Sequence, residues 1–194
     1  MGTEKKEFLA LFDLDGTLFD TTQVNYSAYQ EALQPYGVKL DQAYFTEQCN
    51  GRHYTEFLPG LAGVGVDPEA VHAAKKAVYG KHLGKARANR QLFQMIETMQ
   101  SKYHTAIVTT ASRKNTCEIL EYFQYSGYFE LLVTQEDVIK KKPDPEGFIR
   151  AMEYFGMDAQ HTIIFEDSDA GIAAAREVGA GVFVVDTYRS PHTT

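Results

Sequence analysis

The chain has 194 residues, of which 44% are hydrophobic and 23% charged, and its formal net charge is -7. This composition is that of a folded globular protein, with room for one core domain plus a modest insertion or for one large domain. It excludes disorder, collagen-like repeats and coiled coils. The negative charge argues against a nucleic-acid partner, whereas a small anionic substrate would need positive charges placed locally.

Five short apolar runs are predicted to be strands. They are Phe8–Phe12, Thr105–Thr109, Leu131–Thr134, Thr162–Phe165 and Val182–Val185. Their apolarity is continuous rather than alternating, which indicates strands covered on both faces, as in a parallel sheet. Helical patterns alternate with the later runs, at Arg113–Phe123, Pro145–Phe155 and Ser168–Val178. This alternation predicts an α/β fold with right-handed crossovers.

The first apolar run also bears on the compartment. Phe8–Phe12 is too short for a signal sequence or a membrane span, and acidic residues follow it directly. We therefore expect a cytoplasmic protein without a membrane partner. Cys49 and Cys117 are far apart and lack metal-ligand spacing, which favours free thiols in a reducing compartment.

The stretch between the first and second strands is different, because its patterns are all helical. These patterns are Val24–Leu33, Gln42–Cys49, Tyr54–Leu61 and Pro68–Leu83. An insertion at this point would project over the carboxyl end of the sheet, where ligands bind in open α/β folds. We expect residues 20–84 to form a helical cap on a core of residues 1–19 and 85–194. The alternative is a helical layer packed flat against the sheet, with no role in substrate choice.

The first motif that suggests chemistry is Asp13-Leu14-Asp15-Gly16, directly after a predicted strand. The alternation of a strand places Asp13 and Asp15 on the same side, where two ionised carboxylates require a cation or a shared proton. Mg²⁺, which prefers oxygen ligands, would suit such a pair. One carboxylate could then be a nucleophile and the other a general acid and base. The alternative is an ordinary turn, since Asp and Gly are common after strands.

The second motif, Glu166-Asp167-Ser168-Asp169, also follows a buried strand and precedes a helix. Glu166 and Asp167 could complete a cation site with Asp13. The alternative is that Asp167 or Ser168 only caps the helix, where an acid is favourable. A cap explains one of the acids and leaves the others unexplained.

The third motif is Thr109-Thr110-Ala111-Ser112, after the second predicted strand. A hydroxyl group and backbone N–H groups at the start of a helix can bind an anion. The alternative is that Thr110 or Ser112 is only a helix cap.

The fourth motif is Lys140-Lys141-Lys142-Pro143-Asp144-Pro145. Lysines beside prolines usually form a solvated loop, and here Asp144 would cap a helix with Pro145 in its first turn. A lysine held in place in this loop could instead neutralise a phosphate group. Because the carboxyl ends of parallel strands meet at one edge of a sheet, all four motifs are expected to lie close together.

In this order and spacing, the motifs resemble those of the haloacid dehalogenase superfamily, in particular its β-phosphoglucomutase-like and phosphoglycolate-phosphatase-like enzymes. The resemblance extends from Phe8 to Asp186. The residues that carry it are Asp13-Leu14-Asp15-Gly16-Thr17, Thr110, Lys142-Pro143-Asp144-Pro145 and Glu166-Asp167-Ser168-Asp169-Ala170-Gly171. It implies a Rossmann-like parallel sheet of order 5-4-1-2-3 with a helical cap inserted after the first strand.

The resemblance also implies residue roles. Asp13 would be the nucleophile that forms an aspartyl-phosphate, and Asp15 would protonate the leaving alcohol and then activate water. Mg²⁺ would be bound by Asp13, Asp167 and the backbone carbonyl of Asp15, with Glu166 close by. The transferring phosphoryl group would be held by Thr110, Lys142 and backbone N–H groups that include that of Ala111. The implied activity is hydrolysis of a small phosphorylated metabolite, such as a sugar phosphate or a phosphoglycolate-like compound.

Rival activities in the same superfamily fit less well. The dehalogenases lack an acid at the position of Asp15. The phosphoglucomutases typically carry a histidine where this chain has Asn25 and a branched apolar residue where Thr17 stands. The phosphonoacetaldehyde hydrolases use a cap lysine, whereas the cap lysines here are predicted to lie on a solvated helix face; they are Lys75, Lys76, Lys81 and Lys85. Phosphoryl transfer of the mutase type and a catalytically silent binding or regulatory module remain the alternatives.

Substrate recognition is expected from the inserted segment. In similar enzymes a cap loop faces the active site, and the corresponding residues here are Asn50-Gly51-Arg52-His53-Tyr54. Arg52 or His53 could contact a second anionic or hydroxyl group of the substrate. The alternative is that Arg52 makes a surface contact and that His53 caps a helix or packs against a neighbour.

Overall fold

The structure is a computed structural model that describes residues 6–62 and 66–188. Five parallel strands form its main sheet: β1 (Phe8–Phe12), β4 (Tyr103–Val108), β5 (Leu131–Val133), β6 (Thr162–Glu166) and β7 (Gly181–Val184). Their order in the sheet is β5-β4-β1-β6-β7. Numbered within this sheet alone and taken from the β7 edge, the order is 5-4-1-2-3, as the resemblance implies. A separate two-stranded pair, β2 (Phe19–Asp20) with β3 (Arg87–Ala88), was not predicted.

The helices follow the predicted alternation. They are α1 (Thr22–Leu33), α2 (Gln42–Tyr44), α3 (Tyr54–Ala62), α4 (Pro68–Val78), α5 (Arg90–Met99), α6 (Arg113–Tyr122), α7 (Glu146–Phe155) and α8 (Asp169–Glu177). Two predicted helices change type before they end. Helix α2 continues as a π-helix, Phe45–Cys49, and α4 continues as a 3-10 helix, Tyr79–Lys85. Helix α5 is a difference from the sequence prediction, which had no helix between the insertion and the second strand.

Both faces of the central strands β1, β4 and β6 are largely buried, which explains why these strands are apolar at consecutive positions. The edge strand β7 differs from the expectation of a strand covered on both faces, because Phe183 and Val184 are exposed. On one face, Leu9 and Leu11 of β1 are fully buried and pack in one cluster with Phe148 of α7 and Ala174 of α8. The opposite face is aromatic. There Phe12 stacks on Phe165 of β6, with 4.6 Å between the ring centroids, and a set of further rings packs around them.

The chain divides into two compact units. The core unit runs up to Asp20 and resumes at Ala88, and the inserted unit is Thr21–Arg87. The limits expected from the sequence are residues 1–19 with 85–194 for the core and residues 20–84 for the cap. The inserted unit has its own apolar cluster, which includes Leu33, Phe45 and Val71. It is therefore a separately packed helical body.

One prediction for the inserted unit is wrong. Lys75 does not lie on a solvated helix face, because only 8% of it is exposed. Its ammonium group lies 5.3 Å from the ring centroid of Tyr29 and 4.8 Å from that of Tyr79. Lys75 is one helical turn after the buried Val71, so it shares the inward face of α4. Aromatic faces attract the cation there and compensate for part of the lost hydration.

The remaining general predictions concern the thiols and membranes. Cys49 and Cys117 are both free, as expected. Among the helices of the described residues, none combines the length and the apolar character that crossing a bilayer would require.

Candidate active site

The site is built around Asp13, the residue that follows β1. Its backbone N–H donates to the carbonyl of Phe165 at 3.0 Å, so it continues the pairing of β1 with β6 to the carboxyl edge of the sheet. Only 8% of Asp13 is exposed. Its carboxylate accepts a hydrogen bond from Lys142 at 2.6 Å, although the two residues are far apart in the sequence. The predicted convergence of the first and fourth motifs is present.

Lys142 connects three strand ends. Its ammonium group donates to Asp13 Oδ1 at 2.6 Å, to Glu166 Oε1 at 2.6 Å and to the carbonyl of Val108 at 2.8 Å. Burial lowers the pKa of Lys142, but the charges of Asp13 and Glu166 outweigh burial and raise the pKa above its usual value. The lysine therefore stays protonated and is a fixed positive charge rather than part of a solvated loop.

Glu166, at the end of β6, is fully buried. One of its oxygens is bound by Lys142, and the other accepts from the backbone N–H and the hydroxyl of Ser168, at 2.8 and 3.0 Å. Space for this carboxylate depends on Gly171, since a Cβ atom there would lie 1.7 Å from Glu166 Oε1. Ser168 also caps α8 by accepting from the N–H of Gly171. The expected helix cap at Ser168 is therefore present, and Lys142 binds both Glu166 and Asp13.

Asp167 is held beside the loop that follows Asp13. The buried hydroxyl of Thr17 donates to Asp167 Oδ1 at 3.0 Å. Gly16 has a φ of +94°, and a Cβ atom on it would lie 2.2 Å from Asp167 Oδ2. Burial and the neighbouring charge of Glu166 raise the pKa of Asp167 to about 6, against the opposing effects of Thr17 and Lys142. The contribution of Thr17 was not predicted from the sequence.

Asp13, Glu166 and Asp167 form an acidic cluster in which one carboxylate oxygen from each residue lies within 4.8 Å of the others. Burial raises the pKa of Asp13 well above its usual value; Glu166 and Asp167 raise it further, and Lys142 opposes them. One ammonium group does not balance three carboxylates. These oxygen donors and the excess of negative charge fit a hard divalent cation such as Mg²⁺.

Asp15 lies in the tight loop after Asp13 and is not a member of this cluster. It forms an isolated bridge with Phe19, and the next residue, Gly16, donates its N–H to the carbonyl of Phe19 at 2.7 Å. The pKa of Asp167 is raised mainly by burial and by the charge of Glu166, and the charge of Asp15 makes a smaller contribution in the same direction. Asp15 is therefore positioned near the acidic cluster by a short, well-connected turn.

The residues of the third motif have different roles in the structure. Thr110 is exposed at the end of β4 and lines the same small cavity as Lys142. The N–H of Ala111, predicted to contact phosphate, donates instead to the hydroxyl of Thr109 at 3.0 Å. Ser112 is the cap of α6, where its hydroxyl accepts from the N–H of Asn115. The structure thus brings Thr110 to the site and gives the capping role to Ser112.

Arg52 and His53 belong to the inserted unit and have local partners. Arg52 donates to Glu56 at 3.2 Å and to the carbonyl of Gln48 at 3.0 Å, and half of its side chain is exposed. His53 hydrogen-bonds through Nδ1 to the hydroxyl of Thr55 at 2.7 Å. Arg52 thus makes the surface contact given as its alternative, and His53 packs on Tyr54, with 4.3 Å between the ring centroids, as its alternative states. Recognition of the substrate by either side chain stays a prediction.

The geometry agrees with a comparison against known families. The family described as haloacid dehalogenase-like hydrolase matches residues 10–185. The chain therefore belongs to the haloacid dehalogenase-like hydrolases, which confirms both the resemblance of the four motifs and the predicted enzyme class of hydrolase.

Curated relatives match over most of the chain. A validoxylamine A 7'-phosphate phosphatase of Streptomyces hygroscopicus subsp. limoneus is 28% identical over 180 residues, which cover 91% of this chain and 84% of the relative. A phosphorylated carbohydrates phosphatase of Thermotoga maritima is 26% identical over 182 residues, covering 87% of this chain and 80% of the relative.

A solved structure shares the fold. The crystal structure of CbbY from Rhodobacter sphaeroides in complex with phosphate superposes with a TM-score of 0.83 at 22% identity, covering 98% of this chain and 90% of that chain.

Proposed function

We propose that the chain is a Mg²⁺-dependent phosphatase that hydrolyses a small phosphate monoester through an aspartyl-phosphate on Asp13. The observation that carries the proposal is the position of the Asp13 carboxylate. It lies at a strand end, bound to Lys142 and clustered with Glu166 and Asp167. Phosphoryl transfer depends mainly on positioning and on neutralising charge, and this arrangement supplies both.

In the first step, a carboxylate oxygen of Asp13 attacks phosphorus and the bond from phosphorus to the ester oxygen breaks. The departing alkoxide needs a proton, which Asp15 supplies from the adjacent turn. Lys142, which is charged and fixed by three acceptors, neutralises oxygens of the transferring group. Thr110 contributes a hydroxyl at the same cavity.

In the second step, Asp15, now ionised, takes a proton from a water molecule that attacks the phosphorus of the aspartyl-phosphate. The bond between phosphorus and the Asp13 oxygen breaks, which releases inorganic phosphate and restores the carboxylate. The same residue thus serves as acid and then as base, as a two-step transfer requires. The backbone N–H of Ala111 can join the phosphate contacts only if it exchanges its bond to Thr109.

The acidic cluster is proposed as the Mg²⁺ site. Asp13 and Asp167 would bind the ion through their side chains and Asp15 through its backbone carbonyl, with Glu166 close by. When bound, the ion supplies positive charge that offsets the carboxylates and the phosphoryl oxygens. The hydrogen bond from Thr17 keeps Asp167 in a defined orientation for this role.

The proposed substrate is a small phosphorylated metabolite, with sugar phosphates first. The names of the two curated relatives, both phosphatases and one acting on phosphorylated carbohydrates, support this choice. Asn25 and Thr17, where mutases of this family carry other residues, favour hydrolysis over transfer to a second sugar hydroxyl. We assign the activity to the cytoplasm. The inserted unit, Thr21–Arg87, is proposed as the cap that selects the substrate.

The test is turnover of an aryl phosphate. Wild-type protein should release phosphate with Mg²⁺ and stop when EDTA is added. Asp13→Asn should lower kcat by a factor of about 10³ or more because the nucleophile is lost. Asp158→Asn is the matched control, since Asp158 is an exposed acid bound to His161. Its activity should equal that of the wild type.

The same assay decides against the proposal. A wild-type protein that shows no Mg²⁺-dependent turnover on aryl phosphate or on a panel of sugar phosphates, organic acid phosphates and nucleotides would be the silent binding module instead. If the Asp13→Asn variant retains activity, the reaction does not proceed through an aspartyl-phosphate on Asp13.

A further inference from the structure

The proposed phosphate-binding lysine lies in a loop. Residues 134–145, between β5 and α7, contain no helix or strand. A long side chain on an irregular segment does not by itself hold a reacting group in place, and displacement of about 1 Å can cost roughly 10²-fold in rate. The ammonium group of Lys142 nevertheless reaches three acceptors at 2.6 to 2.8 Å. Its backbone must therefore be anchored by other residues.

One anchor is the side chain of Glu146, the first residue of α7. Its carboxylate turns back toward the loop and accepts the backbone N–H of Ile139 at 3.1 and 3.2 Å and that of Lys140 at 2.8 Å. The two amides come just before Lys142 in the loop. The N–H of Glu146 itself donates to Asp144 on the other side of Lys142, so one residue connects both flanks of the lysine.

These bonds are of the strong kind. The N–H groups of Lys140 and Ile139 lower the pKa of Glu146, so the carboxylate is ionised at neutral pH and each bond is charge-assisted. Outside the loop, the same carboxylate accepts from Arg150 at 2.9 Å, an exposed partner one turn further along α7. Such an exposed helical pair contributes little on its own. The bonds toward the loop are therefore the main work of this side chain.

A second anchor closes the start of the loop. Asp137 Oδ2 accepts the backbone N–H of Thr134 at 2.8 Å, its hydroxyl at 2.7 Å and the guanidinium of Arg113 at 2.6 Å. This ties the first turn of the loop to the start of α6. With that end held, the segment from 138 to Lys142 is short, and the Glu146 carboxylate bridges it.

We infer that Glu146 is a positioning residue for the hydrolysis reaction, which orients Lys142 toward the phosphoryl group by binding the backbone of Ile139 and Lys140. This inference rests on the proposed function, because it assigns the lysine to phosphate. It differs from a capping role, since the backbone N–H groups that the Glu146 carboxylate accepts belong to the preceding loop rather than to its own helix.

The experiment compares Glu146→Ala and Glu146→Gln with Arg150→Ala, the matched control that removes only the exposed partner. On aryl phosphate with Mg²⁺, Glu146→Ala should lower kcat/KM about tenfold to a hundredfold, mainly through kcat, with weaker competitive inhibition by inorganic phosphate. Glu146→Gln keeps one acceptor oxygen and should recover part of the loss. Arg150→Ala should behave as wild type.

Hydrogen exchange provides the readout that does not depend on turnover. In Glu146→Ala the amides of Ile139 and Lys140 should exchange faster than in Arg150→Ala. If Glu146→Ala matches Arg150→Ala in kcat/KM, phosphate inhibition and exchange, the inference is wrong. If the wild type is inactive, the proposed function fails. Exchange at these two amides then still decides whether Glu146 holds the loop.

Discussion

Gly171→Ala is a substitution for which two physical effects predict opposite signs. Gly171 lies inside α8, where replacing glycine by alanine normally stabilises a helix by about 1 kcal/mol. Here the added Cβ would lie 1.7 Å from Glu166 Oε1 and 2.0 Å from Glu166 Cδ. Glu166 is fully buried, so its carboxylate must leave the position in which Lys142 and Ser168 bind it.

The magnitude follows from these contacts. Breaking a buried ion pair costs about 3–5 kcal/mol, and subtracting the helix-propensity gain leaves a net loss of about 2–4 kcal/mol. For a chain of this size, that loss lowers the melting temperature by roughly 5–15 °C. Displacement of Glu166 also removes one of the acceptors of Lys142, so Mg²⁺-dependent turnover should fall together with stability.

The assay is thermal unfolding followed by circular dichroism, with Gly60→Ala as the control. Gly60 lies in α3, and a Cβ atom there would meet nothing within 4 Å. This control should be as stable as the wild type or up to about 1 kcal/mol more stable. If Gly171→Ala also melts at or above the wild-type temperature, the space left for Glu166 by this glycine does not control the site.

Two further predictions concern the inserted unit and the pH dependence of stability. Arg52→Ala should raise KM for a sugar phosphate about threefold to tenfold more than KM for an aryl phosphate. Glu56→Gln is the control, because it removes the ion pair but keeps the guanidinium. Equal effects of Arg52→Ala on both substrates would exclude a role of Arg52 in recognising the sugar. Burial raises the pKa of Glu130, but hydrogen bonds from Lys6 and His104 lower this pKa overall. The ionised carboxylate therefore contributes fully to the stability of the folded state above the unfolded-state pKa of about 4.3, and this contribution is lost as the pH falls through the lower pKa of the folded state. Glu130→Gln should therefore lower the urea midpoint at about pH 6 and leave it unchanged near about pH 2; an equal shift at both pH values would contradict this.

The convergence of the site could be predicted because it depends on topology. Asp13, Thr110 and Glu166 follow strands that are apolar at consecutive positions, and parallel strands of this kind end at one edge of the sheet. Lys142 was harder, since it follows its strand by a loop. Its role came from the resemblance rather than from its own pattern.

Other features depend on contacts that a sequence does not display. The need for glycine at 171 comes from the side chain of Glu166, and the burial of Lys75 depends on the ring of Tyr29, which is distant in the chain, together with that of Tyr79, one helical turn further on. The N–H of Ala111 is bound by Thr109, a local competitor that the anion-site pattern does not reveal. In each case the neighbour, and not the residue itself, decides the outcome.

Helix α5 is a different kind of omission, because its signal is present in the sequence. Leu92, Phe93 and Ile96 are buried along one face, and the side chain of Asn89 accepts from the N–H of Leu92 as an N-terminal cap. An asparagine followed by apolar residues at helical spacing is a recognisable start. For Arg52 and His53, the sequence left substrate recognition and local contacts as alternatives, because polar side chains near a surface can bond to residues a few positions away. The structure shows such local bonds, to Glu56 and Thr55.

The short pairing of β2 with β3 has a consequence for how such a chain can be altered. Phe19–Asp20 lies beside Arg87–Ala88, and the N–H of Asn89 donates to the carbonyl of Leu18 at 2.9 Å. The two points where the inserted segment is attached are therefore next-door neighbours. Closing a longer or shorter segment between neighbouring anchor points changes the entropy only slowly with length. We therefore expect that segments of different length can replace the one between Asp20 and Ala88 while the strands that carry the chemistry keep their register.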